Sequence, residues 1–352
     1  MSQAQPSTLS LAPAASLRPA WFAAPAIAAI YPYSLDAFHG ATKSIAAHGG
    51  WEAWLAAAVL LAAMNVLPLL ALAVAIRLGR EPRPSRAHLA ARRVALVAVA
   101  VPPIYTLAGV IGLLVGHPDW DRPFMLVLWA ALAAAIALAP RGAAAPAVAP
   151  TGHGRWRVAH GIAASLAVLY LCAHFANHLV GWVGPEAHAA VMKVLRTVYR
   201  SPLGEPLLVG TFGFLILSGS WMAWRLTGRQ TDAVRSFQIA GGVFLVFAVV
   251  SHLNAVLYLA RVYLHIDSDW GFGVGAPAGL LKDPWNIRLL PYYLLAVFFV
   301  IAHAFCGLRG ILLAHGKGRV LGDRVLVGGT VFAALLAIVI MMAMCGLRIH
   351  IA

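Results

Sequence analysis

Eight stretches of this chain run for about 18 to 28 residues with almost no charge, and this constrains the fold more than any other feature. They lie near 53–78, 94–116, 123–140, 158–184, 206–225, 237–264, 289–313 and 325–346. A helix needs about 20 apolar residues to cross a bilayer. Lipid cannot hydrogen-bond an open backbone, so segments of this kind must be helical. The chain therefore reads as an all-α polytopic membrane protein with about eight transmembrane helices. Composition agrees, since 61% of the 352 residues are hydrophobic and only 11% are charged. Soluble domains carry roughly 45–50% and about 25%. The polar loops are too short to hold a catalytic domain, so any enzyme activity would be shared with a partner.

The net charge is +14, which in a soluble protein would suggest nucleic acid. Here no basic patch is interleaved with aromatic residues, and nucleic-acid binding is rejected. The basic residues fall in short loops instead. Loop 77–93 carries Arg77, Arg80, Arg83, Arg86, Arg92 and Arg93; loop 141–157 carries Arg141, Arg155 and Arg157. Loop 225–236 carries Arg225, Arg229 and Arg235, and loop 309–324 carries Arg309, Lys317, Arg319 and Arg324. Between them, loops 117–122, 185–205 and 265–288 are acidic or mixed. The positive-inside bias assigns the Arg-rich loops to the cytoplasm. With eight crossings both termini then lie outside, in an arrangement suited to a bacterial inner membrane. Within 185–205, PEAHAAVMKVLRTVYR reads as an amphipathic helix in the outer interface.

Four regions follow. Residues 1–52 form a tail without the basic start and apolar core of a signal peptide, and its opening is expected to be disordered. The tail contains WFAAPAIAAIYPY (21–33), broken by Pro25 and Pro32 and read as interfacial or re-entrant. Residues 53–140 form a three-helix membrane region in which Asn65 with Pro68, and the pair Pro102-Pro103, imply kinks. Residues 141–157 are a Pro/Ala/Gly-rich linker, and 158–352 a five-helix bundle. Cys172, Cys306 and Cys345 all fall inside apolar runs without metal-type spacing, and read as small buried hydrophobes.

The chemistry lies with histidines at membrane depth, because an ionisable group there is expensive and marks function. These are His174, His178, His252 and His303. His160 sits near a helix end, and His188, His265, His315 and His350 lie in loops or at ends, where solvent or headgroups can hydrate them. His174 and His252 lie at matched depth, about 23 Å from the cytoplasmic end at 1.5 Å per residue. His178 follows His174 by one turn on the same face. His303 lies nearer the cytoplasm. Neutral imidazoles at matched depth on two helices can clamp a haem iron from both sides. Hydrogen-bonded structural histidines, or a proton relay in a transporter, are the alternatives. A transporter would more often show inverted repeats, and the chain divides three plus five instead.

Several local patterns are shared with one family. Gly242 precedes His252 by ten residues in FQIAGGVFLVFAVVSH, and His303 is followed by Gly307 and Arg309 in HAFCGLRG. WRVAHGIAASLAVLYLCAHFANH opens the five-helix region with Gly161 ahead of its histidines. Over residues 155–346 the chain resembles the type B cytochrome b membrane anchor of succinate dehydrogenases and fumarate reductases, a five-helix subunit. The resemblance implies haem b, a quinone site, and electron transfer to a cytoplasmic flavoprotein/iron–sulfur partner docked where Arg225, Arg229, Arg235 and Arg309 lie. It implies cofactor-binding roles for His174, His178, His252 and His303, with His174 (or His178) and His252 as the iron ligands. Two departures matter. The first ligand is expected at Leu171, one turn before His174, and Gly219 stands where the second helix would supply a partner for His303. One haem is therefore expected, with no ligand pair for a second. A haem-free membrane anchor or sensor of the same fold is the other reading.

Overall fold

The computed structural model describes residues 17–142, 144 and 153–349. In chain order its helices are α1 (Ala23–His48), α2 (Trp51–Gly79), α3 (Arg86–Ala98), α4 (Val101–Leu114), α5 (Asp121–Leu138) and α6 (His153–Val180). There follow α7 (Pro185–Tyr199), α8 (Gly204–Thr227), α9 (Ala233–Leu253), α10 (Trp270–Val274), α11 (Leu289–Ala314) and α12 (Arg319–Met344). A π-helical segment, Asn254–Tyr263, extends α9. Among the described residues no strand forms. Seven helices are long and apolar enough to cross a membrane: α2, α5, α6, α8, α9 with its extension, α11 and α12. The architecture is all-α and polytopic.

The run expected to span 94–116 is broken. α3 begins at Arg86, where the Ser85 Oγ accepts a hydrogen bond from the His88 N–H at 3.1 Å, and α4 leaves at 69° to it. Pro102 and Pro103 have no N–H to donate to the preceding turn, and proline also drives the residue before it away from helical geometry. The helix therefore stops at Ala98 and restarts with the prolines in its first turn, the position that tolerates them. At Pro68 the outcome differs, since α2 continues through it.

The segment ending at Tyr33 in the sequence reading continues as α1 to His48. Ala24, Ala28, Tyr31, Leu35 and Phe38 recur at helical spacing and are buried, and α1 packs along α2 and against α3 and α5. Its start lies beside the Arg-rich loops: Arg18 is 3.8 Å from Glu81, and Trp21 meets the His88 ring edge-on at 5.9 Å. Further along, Asp36 accepts hydrogen bonds from Arg122 at the other end of the bundle. α1 thus runs along the bundle from the basic end towards the other, although it is not among the helices long and apolar enough to cross a membrane. The Ile349 N–H donates to the Trp182 carbonyl at 2.8 Å, at the end where Asp36 lies. The two ends of the described chain therefore lie at opposite ends of the bundle. Residues 1–16, 143 and 145–152 lie outside the described residues, including the opening of the tail and most of the expected linker.

Loops assigned to one side by charge do meet in space. At the basic end the Thr231 N–H donates to the Gly79 carbonyl (2.8 Å), and Gln230 Nε2 donates to Arg80 O (2.9 Å). At the other end Arg200 bonds Asp267 at 2.8 Å, and Arg261 bonds Glu205 at 2.5 Å. The expected amphipathic helix is present as α7, with His188 and Met192 buried.

The first five helices and the later ones are packed on one another, with α9 touching α2, α3, α4, α8 and α11. Polar clasps join them at both ends. Near the basic end Arg92, 2% exposed, donates from Nη1 to Thr227 O (2.8 Å) and Arg229 O (2.5 Å), and from Nη2 to Thr231 Oγ1 (2.6 Å). At the opposite end Arg288 Nη1 meets Asp121 Oδ2 at 2.7 Å, with both side chains at most 6% exposed. Arg288 also donates from Nε to Trp285 O at 3.0 Å and lies over the rings of Tyr105 (4.4 Å) and Trp285 (4.6 Å). Gly109 leaves the room this guanidinium occupies, because a Cβ there would overlap Nη1.

Breaking a buried ion pair at one partner costs about 3–5 kcal/mol, whereas replacing both partners by apolar groups is often neutral. Arg288→Met should therefore lower the melting temperature of the detergent-solubilised protein sharply, and Arg288→Met with Asp121→Leu should recover most of the loss. A single variant that melts like the parent would show that the pair does not hold the two parts together. A membrane crossing by α1 is tested by thiol labelling in sealed vesicles. Cysteines placed at Leu17 and at Lys317 should label from one side, and a cysteine at His117 from the other; labelling of Leu17→Cys together with His117→Cys would overturn it.

Candidate functional site

α6, α8, α9 and α11 form a ring in which α6 packs on α8, α8 on α9 and α9 on α11, while α11 and α12 close the circuit to α6. α6 and α9 thus face each other across it. The apolar runs dictate helices, and helical periodicity decides which histidines share a face.

On α6, Tyr170, His174 and His178 follow at one-turn intervals and line up as neighbours. The Tyr170 and His174 rings stack at 5.5 Å, and the His174 and His178 rings meet edge-on at 4.7 Å. From across the ring, His252 of α9 brings its imidazole to 6.1 Å from that of His174. No hydrogen bond holds His174 or His252 among the described residues. Directly after His252 the backbone changes to the π-helical segment Asn254–Tyr263, a geometry frequent at functional sites. Within it the Asn254 Nδ2 is buried without a partner.

α7 and α10 cover this group at the end opposite the basic loops. His188, 4% exposed, lies 5.6 Å from the His178 ring and 4.8 Å from Trp270, and accepts from Asn177 Nδ2 at 3.1 Å. The Nδ1 atoms of His178 and His188 are buried without partners. Trp270 can approach because position 181 is glycine, where a Cβ would strike its ring. Asp269 caps α10 by accepting from the Phe272 N–H at 2.9 Å. Asp267 ties the same loop to Arg200 of the α7 connection and lies 3.7 Å from Arg196. The Arg200 hydrogen bond, then the charge of Arg196, holds the Asp267 carboxyl below its ordinary value.

His303 lies in the other half of the ring. Its Nδ1 is 3.0 Å from the Gln238 carbonyl, which can only accept, so Nδ1 carries the proton. A Cβ on Gly242 would lie 3.1 Å from His303 Cε1. The glycine that precedes His252 by ten residues thus makes room for the other histidine. His160 is partly buried and seven residues inside α6, because the helix starts at His153 instead of 158. Its Nδ1 is 2.8 Å from Ser218 Oγ, beside Gly219.

The structure thus gathers His174, His178 and His252, and sets His303 apart from them. His188 and His160, read from sequence as hydrated, belong to the two groups. His188 was missed because α7 folds back over α6; the signal for His160 was an α6 start placed five residues late. Of the cysteines, Cys306 is buried, but Cys172 lies on the outer surface of α6.

Among the described residues no group of three or more His, Cys, Asp or Glu side chains is placed to hold a metal ion by itself. A two-nitrogen donor set suits an iron whose remaining ligands come from a macrocycle. Metal–nitrogen bonds of about 2.0–2.1 Å on either side of such an iron separate the ring centres by roughly 6 Å, and His174 and His252 stand at 6.1 Å. The spacing of these two rings fits the group. No family model, curated protein or solved structure matches the chain.

His188 is neutral in the fold, since burial and then the charge of Arg196 hold it below its ordinary 6.5. Below that pH the unfolded chain takes up a proton that the folded one resists, so this stability is present above about pH 6.5 and lost as pH falls further. Thermal melts of His188→Gln should show a shallower decline between about pH 6.5 and 5 than the parent; parallel declines would show that the ring is not buried neutral.

Proposed function

We propose that the protein is a b-type-cytochrome-like membrane subunit that takes part in electron transfer with quinone, holding haem b between His174 of α6 and His252 of α9. The observation that carries this reading is the facing of two imidazoles without hydrogen-bond partners, 6.1 Å apart on opposite helices of a ring. Bare imidazoles at membrane depth are costly unless something uses their nitrogens. Haem, when bound, supplies a one-electron couple whose potential depends on its axial ligands and their surroundings. Tyr170 restrains the plane of His174 by stacking on it. α7, Trp270 and the Asp267 clasp cover the group at the end away from the basic loops. The unpartnered Nδ1 of His178 offers a polar contact to a quinone oxygen beside the iron site. The basic end supports docking of a soluble electron-transfer partner on the cytoplasmic face of a bacterial inner membrane.

The test is the reduced-minus-oxidised absorption spectrum of protein purified from haem-replete cells. A b-type band is expected; it should be lost in His252→Ala and in His174→Ala, and kept in His178→Ala. Absence of any b-type band in the parent protein would overturn the proposal, leaving the haem-free anchor.

A further inference from the structure

The basic end holds positive charge that the chain itself leaves without a counter-charge. Arg92 is buried on two carbonyls and a hydroxyl, and its neighbour Arg93 reaches the same residue of α8, Thr227. The Thr227 hydroxyl gives its own proton to the Trp224 carbonyl at 2.7 Å, so towards Arg93 it accepts, and Arg93 Nε donates to it at 3.1 Å. The Arg93 guanidinium also lies 3.5 Å from the centre of the Trp224 ring. Ring and hydroxyl together fix its plane. Its two Nη groups have no hydrogen-bond partner among the described residues. On the same helix Arg225 lies over Trp221 at 5.1 Å. Among the described residues no carboxylate stands within ion-pair distance of Arg92, Arg93 or Arg225.

We propose that Arg93 and Arg225, on their tryptophan rings, bind the phosphate of an anionic phospholipid in the leaflet at the basic end. A guanidinium held flat with both Nη groups open presents a fork that matches two phosphate oxygens. An anion there also offsets the buried charge of Arg92 beside it. The surroundings select a lipid over a free phosphate. Trp224 is 63% exposed, and Trp156, whose ring is 5.9 Å from that of Trp221, is exposed as well. Such rings sit at headgroup level, where basic clusters attract acidic lipids. Leu203, Gly210, Leu217 and Trp224 are exposed at seven-residue intervals, so one face of α8 runs from the headgroup level into the apolar region. An acyl chain can lie along that face, and inorganic phosphate gains nothing from it. The proposal does not rest on the haem reading.

The test is the melting temperature of the detergent-solubilised full chain, titrated with phosphatidylglycerol, phosphatidylcholine or inorganic phosphate. A ligand that binds the folded state raises it in a saturable way. Phosphatidylglycerol should give such a rise and the other two should not. An equal rise with phosphatidylcholine, or a rise with inorganic phosphate alone, would overturn the anionic-lipid site. Arg93→Gln should weaken the apparent affinity for phosphatidylglycerol at least about tenfold, the worth of one charge-assisted hydrogen bond. Arg93→Lys keeps the charge but loses the fork, and should fall between that variant and the parent. Because Arg93→Gln could loosen α3 from α8, Arg225→Gln and Trp224→Leu supply a second readout, and each should weaken the response to phosphatidylglycerol. A response that is the same in the parent and in Arg93→Gln, or in the parent and in both Arg225→Gln and Trp224→Leu, would overturn the proposal.

Discussion

A guanidinium taken out of water needs oxygen partners, and the packing of this bundle depends on two that find them. Arg288 is held by a carboxylate, a carbonyl and two aromatic faces; Arg92 is held by two carbonyls and a hydroxyl. Each arginine and its partners come from distant parts of the chain. Apolar side chains alone specify orientation poorly in lipid, because one greasy face is as soluble there as another. Polar clasps do specify it, since any other docking leaves a charge unmatched. The clasps near the two ends therefore fix how the first five helices sit against α9 and α11.

That rigidity bears on the histidines. α6 and α8 bury little of their surface in the bundle, so they could be poorly located relative to α9. The Arg93 guanidinium lies 3.5 Å from the centre of the Trp224 ring and its Nε bonds Thr227, which anchors the end of α8 to α3. At the other end Glu205 of α8 is tied to Arg261 of the α9 extension. The helix that supplies Ser218 is thus pinned at both ends by charge, and Ser218 in turn orients His160.

Much of this was legible in the sequence, and the exceptions have physical causes. Apolar length announces a membrane helix, so α2, α5, α6, α8, α9, α11 and α12 were found with boundaries shifted by a few residues. Loop charge announced which loops would meet. α1 was missed because Ser34, Asp36, His39, Thr42 and Lys43 dilute its hydropathy, while its buried face is made of small and aromatic residues spaced for packing. The bend at α3–α4 was visible as Pro102-Pro103, but its size depends on what surrounds it. His174, His178 and His252 could be grouped from depth alone. His188 could not, because the fold-back of α7 is a tertiary event. His160 could not, because its tautomer depends on a serine 58 residues away.

The resemblance to the type B anchors was carried by glycine and histidine at fixed spacing, and the geometry changes what those glycines mean. Gly242 was read as a companion of His252, yet its open side is filled by His303. Gly219 was read as a lost ligand, yet it lies against His160. A glycine on a crowded helix face specifies only that something large comes close, and not which element supplies it. A spacing motif can therefore persist while the groups it serves are exchanged.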